Sequence, residues 1–136
     1  MSCDTGHGAA ATFSASGLTL LHTSIDTGEE TVDDVEKTHL GSVGFKEYQP
    51  GDLNEPGEVT IPYLHETNKA KPELGVVETL TITFPLGDGD ATPATLVGTG
   101  YLKRIKRPNL QTNQIQDGEV MFKFDGRTGP TYTPST

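Results

Sequence analysis

The run Glu78-Thr79-Leu80-Thr81-Ile82-Thr83-Phe84-Pro85-Leu86 alternates without a break. Leu80, Ile82 and Phe84 fall on one face, and three threonines fall on the other. A period of two is that of a half-buried β-strand, and threonine suits the pleated outer face. On the C-terminal side, Gly87-Asp88-Gly89-Asp90 supplies turn chemistry. Thr92 to Arg107 then reads as a long strand, with Gly98 and Gly100 marking a bend or a close backbone approach. Pro108-Asn109 ends it. Ile115 to Asp125 is the last strand, entered through Asp117-Gly118, with Val120, Phe122 and Phe124 on one side and Met121 and Lys123 on the other. Leu80, Ile82, Phe84, Val120, Phe122 and Phe124 are thus the candidate core.

On the N-terminal side, Asn68 to Val77 is the best place for a helical turn, with Pro72 at its first position and Glu73 beside it. Gly75 limits it to a turn or two. Val59, Ile61 and Tyr63 alternate with Thr60 and Pro62 in a strand over Glu58 to Glu66. Pro62 lacks a ladder donor, which assigns that strand to an edge or a bulge. Before it lies Gly41 to Gly57, read as a long loop. It is rich in Gly and Pro yet carries Phe45, Tyr48, Pro50 and Leu53. Loops of that length in compact domains are functional or disordered, and a solvated tether would be polar. These side chains are therefore expected to dock on another copy of the chain. Glu30 to His39 reads as an acidic strand whose register needs a bulge between Val32 and Val35, although that spacing also fits a helix. Leu18 to Ile25 reads as a short strand. Residues 1–17 read as a flexible arm whose one large apolar side chain, Phe13, pins it to the body or to a neighbour.

Short strands punctuated by Gly, Asp and Pro predict an antiparallel β-sandwich or barrel with one short flanking helix. The expected organisation is an arm over 1–17, a single domain over 18–129 and a C-terminal tail over 130–136. With 136 residues, 32% of them hydrophobic and no Trp, the core is small, and assembly would add stability by mass action.

Net charge is −9 and the pI about 4.7. That argues against a nucleic-acid reader and an anionic membrane partner. The single Cys, Cys3, allows no internal disulfide and fits a reducing compartment. No apolar run reaches transmembrane length. The histidines His7, His22, His39 and His65 share no metal-ligand spacing. Asp88-Gly89-Asp90 lacks the remaining ligands of a calcium loop. No nucleophile elbow or phosphate loop occurs. Nothing specifies an enzyme, a cofactor or a metal. The charge layout says more. An acidic run from Asp26 to Glu36, with Glu30, Asp33 and Asp34 at its centre, is opposite in sign to Lys103-Arg104-Ile105-Lys106-Arg107. The two runs either neighbour each other within one subunit, meet across a subunit interface, or are two solvated faces.

Three pieces together give a family resemblance. Gly44-Phe45-Lys46-Glu47-Tyr48-Gln49-Pro50-Gly51 is followed by Gly57-Glu58-Val59-Thr60-Ile61. Leu80 to Leu86 forms a middle strand ending Phe84-Pro85. Gly100-Tyr101-Leu102 precedes Gly118-Glu119-Val120-Met121-Phe122-Lys123-Phe124-Asp125-Gly126. In order and spacing, over about Thr31 to Gly129, the chain resembles the tail tube proteins of long-tailed bacteriophages, whose fold recurs in type VI secretion tubes. The resemblance implies a β-sandwich or barrel, hexameric rings stacked into a hollow tail tube, and a place in the virion after assembly in the host cytoplasm. It implies tail-tip, tape-measure and terminator proteins as partners, and DNA that passes through the lumen without specific binding. The alternatives are another virion β-protein (a tail terminator, a neck protein or a capsid decoration protein), a small β-sandwich binding module, and a hydrolase.

Overall fold

The computed structural model describes residues 5–15, 18–39, 41, 43–87 and 89–136. Nine strands follow in order: β1 (Ala10–Phe13), β2 (Leu21–His22), β3 (Thr31–Glu36), β4 (Tyr48–Glu55), β5 (Glu58–Leu64), β6 (Glu78–Thr83), β7 (Thr95–Asn109), β8 (Asp117–Phe124) and β9 (Thr131–Thr133). The mainly β expectation holds. The strands do not divide into two stacked layers. Seven of them form one antiparallel sheet, ordered β1-β6-β7-β8-β5-β2 with β9 also on β7, and the sheet curls into a half-barrel. The remaining pair, β3 and β4, is a separate two-stranded sheet.

The core forms where the alternating faces of β5, β6 and β8 converge. Val59, Ile61, Leu80, Ile82, Val120, Phe122 and Phe124 are fully buried, and Leu102 of β7 joins them. Phe84 lies past the end of β6, half-buried, edge-on to Tyr132 at 5.7 Å. Phe122 packs edge-on against Phe13 at 6.0 Å and against Phe124 at 5.6 Å. Such aromatic pairs add about 0.5–1.5 kcal/mol each beyond the area they bury. The aromatic cluster lies close to β7 because β7 carries glycine there. A Cβ on Gly98 would come within 2.7 Å of the Phe124 ring, and one on Gly100 would collide with the Lys123 carbonyl.

Four expectations are corrected. No helix occurs among the described residues, and 68–77 is irregular chain with a turn at Leu74-Gly75. Pro72 offers no amide, and the Gly75 amide is donated to the Leu102 carbonyl at 3.1 Å, not to a carbonyl of its own segment. Within the stretch read as a flexible arm, Ala10–Phe13 is a strand paired with β6, and Phe13 is 3% exposed, pinned to the body rather than to a neighbour. Burying that ring against Phe122 removes it from any contact between copies. The C-terminal stretch also joins the sheet, through Thr131–Thr133 on β7. Finally, the long loop is half strand. Tyr48–Glu55 lies antiparallel to β3 with Glu36 opposite Tyr48 and Thr31 opposite Glu55. The register shifts between Val32 and Asp34, where Gly51 passes against the Asp33 carbonyl.

Candidate subunit interface

The β3–β4 hairpin sets itself apart by what it leaves uncovered. All six residues of β3 are exposed, and of the eight in β4 only Gly51 is half-buried. The turn between the strands is closed by backbone and side-chain bonds. The Lys37 amide donates to the Glu47 carbonyl at 2.9 Å, and the Glu47 amide donates to Thr38 Oγ1 at 3.0 Å. His39 sits 3.6 Å from a Glu47 carboxylate oxygen. Beyond that clamp, Val43 and Phe45 are 89% and 87% exposed. Leu53 and Tyr48 extend the apolar set down β4, with Pro50 exposed between them.

The hairpin is also where the charge is. Residues 29–55 hold eight acids and two lysines, giving −6 of the chain's net −9. The register puts Asp34 opposite Pro50 and Glu36 opposite Tyr48, so carboxylates and apolar groups share one face. An exposed two-stranded ribbon has little independent stability in water. This one combines that weakness with uncovered aromatic side chains.

Glu30, Asp33 and Asp34 are thus gathered with Phe45, Tyr48, Pro50 and Leu53 on one projecting element. Lys103 and Arg104 are not part of it. They project from the middle of β7 and pair locally. Lys103 Nζ donates to Glu58 Oε1 at 2.7 Å, and Arg104 pairs with Glu119. Lys103 holds the Glu58 carboxyl below its ordinary range, chiefly through that hydrogen bond. The acidic and basic runs therefore do not neighbour each other within one subunit, because β7 finds its carboxylates on β5 and β8. Asp125, at the end of β8, is likewise lowered, chiefly by the Arg127 amide and then by the Thr99 hydroxyl, which donates at 2.7 Å.

At the other end of β5 lies a feature that sequence reading missed. Leu18, Leu20, Leu64, Pro72 and Ile105 are among the residues lining a groove of about 300 Å³, with Tyr63 at its floor. Burial pushes the Tyr63 phenol pKa up. These residues come from four separated segments, so no local pattern announces the groove. No group of His, Cys, Asp and Glu able to hold a metal occurs among the described residues. No helix among them is long and apolar enough to cross a membrane.

No protein-family model matches the chain, and no curated protein matches it significantly. The fold, however, is found in a solved structure. The chain superposes with a TM-score of 0.70 at 14% identity, over 90% of its own length and 93% of the other chain. That chain belongs to the cryo-electron microscopy structure of an extracellular contractile injection system, described as the PVC sheath/tube terminator in the extended state. The likeness is one of fold, and it extends over nearly the whole of both chains.

Proposed function

We propose that this chain is a non-enzymatic structural subunit of a phage-tail-like particle. In this reading it assembles with copies of itself into rings, hexameric as the family resemblance implies, that stack into a hollow tail tube. The observation that carries the reading is the β3–β4 hairpin. Fourteen strand residues form an ordered ribbon with no core beneath it. Its exposed Phe45, Tyr48 and Leu53 gain burial only from another molecule. Fold similarity to a tube terminator supports the same class of particle. An acidic lumen repels phosphate, so DNA slides and does not stick. Tail-tip, tape-measure and terminator proteins are the partners in the virion tail, after assembly in the host cytoplasm.

A second reading is favoured by the sheath/tube terminator that shares the fold: a terminator that forms one ring and caps the tube. Negative-stain electron microscopy across a concentration series separates the two. Tubes with a regular axial repeat support the tube subunit. Single rings that never stack support the terminator. A monomer at every concentration overturns both.

A further inference from the structure

The hairpin needs a receptor, and the groove at the far end of β5 has the complementary character. Its floor is apolar, built from Leu20, Tyr63, Leu64 and Ile105. Leu21 and Leu74 are exposed beside it, at 52% and 57%. Its rim is cationic: Lys69, Lys71 and Arg107 stand against one carboxylate, Glu66. Lys69 is paired with Glu66 at 3.4 Å. Among the described residues, neither Lys71 nor Arg107 has an ion-pair partner. The hairpin is the reverse as a whole: Val43 and Phe45 are exposed at the tip, where Lys37 and Lys46 stand with Glu36 and Glu47, and Asp34 and the other acids along 29–55 bring the element to a net −6. An apolar pocket with a cationic rim fits an apolar tip carried on an acidic hairpin.

Geometry decides whose hairpin it is. The hairpin leaves the body at the Glu58 end of β5, and the groove opens at the Leu64 end. Seven extended residues separate the two by about 20 Å. Val43 and Phe45 are 89% and 87% exposed, so a subunit does not fill its own groove with them. Two different surfaces pairing head to tail make a heterologous contact, which propagates and does not close as a twofold dimer does.

The geometry points to the groove between the 18–21 segment, the end of β5 and residues 69–72 as the receptor for the hairpin tip of a second copy. Val43 and Phe45 enter it, and the hairpin carboxylates face Lys71 and Arg107. This inference rests on the self-assembly reading and names its contact.

The test is a two-variant cross-link. Cys3→Ser is placed in both chains. One chain also carries Val43→Cys, and the other carries Ala70→Cys with a tag that shifts its mass. Both Val43 and Ala70 are exposed in the free subunit. The two are mixed, assembled and mildly oxidised, and products are read on a non-reducing gel beside electron micrographs. The expected result is a mixed-mass disulfide product at several times the yield of either homodimer. Reversing the rim with Lys71→Glu and Arg107→Glu is expected to lower assembly at least tenfold and to be rescued by Glu36→Lys with Glu47→Lys. Normal particles with no mixed cross-link overturn the groove and leave the assembly reading standing. A chain that forms no particles at any concentration overturns both.

Discussion

Strands β4 and β5 follow one another through Pro56-Gly57 and are nearly equal in length, eight residues against seven. Their fates are opposite. β5 alternates buried and half-buried along its whole length, and β4 has no buried residue. β5 is flanked by β8 and β2 and lies over the aromatic core. β4 has one partner, β3, and nothing beneath it. Both use the same backbone hydrogen bonding, so pairing alone does not make a strand stable. Burial of one face does. The sheet is thus the part of the molecule that folds for itself. The hairpin is the part left exposed.

The contrast breaks most visibly in the core. Phe122→Ala removes the ring between Phe13 and Phe124 and is expected to cost about 3–5 kcal/mol, read as a lower urea midpoint with an unchanged slope. Gly100→Ala forces a Cβ against the Lys123 carbonyl, and a loss of about 1–3 kcal/mol in the same experiment is expected. A neutral result at Gly100 would mean that β7 and β8 separate easily.

The hairpin should behave differently. Phe45→Ala with Tyr48→Ala is expected to shift monomer unfolding by no more than about 0.5 kcal/mol, as for exposed sites, while abolishing tubes or rings in electron micrographs. A large loss of monomer stability would show the hairpin to be part of the folding unit. Tubes of normal length from that variant would remove the hairpin from the interface.

The smallest effect belongs to the charges on β7. Lys103→Ala breaks an exposed pair with Glu58 and is expected to cost under about 1 kcal/mol. Its pH signature is more telling. The Glu58 and Asp125 carboxyls are lowered in the folded chain. Their contribution is fully present above the ordinary carboxylate range and is lost as pH falls through their lowered values. Acid unfolding curves should therefore show Lys103→Ala approaching the parent below that range. A difference that grows on acidification would contradict the assignment.

Much of the sheet was legible from sequence because period-two patterning reports burial directly. Leu80 and Ile82, and Val120 with Phe122 and Phe124, are spaced as a buried face requires. β3 and its bulge after Val32 were legible in the Glu30 to His39 run, but β4 was not, since Tyr48-Gln-Pro-Gly-Asp-Leu-Asn-Glu55 has the composition of a loop. Its strand character comes from β3 alongside it, a tertiary cause that outweighs local propensity. The short helix failed for a related reason, because the Gly75 amide finds its acceptor on β7. Phe13 was recognised as an anchor, but only the paired register of β1 and β6 shows what it anchors to. The groove left no trace, being assembled from segments far apart in the chain.

Amide hydrogen exchange, measured on dilute monomer and on assembled particles, tests most directly whether the hairpin is held for another copy. The account predicts that amides of β3 and β4 exchange fast in the monomer and become protected on assembly, while those of β5, β6 and β8 are slow in both states. A hairpin already protected in the monomer, or still unprotected in the particles, would contradict it.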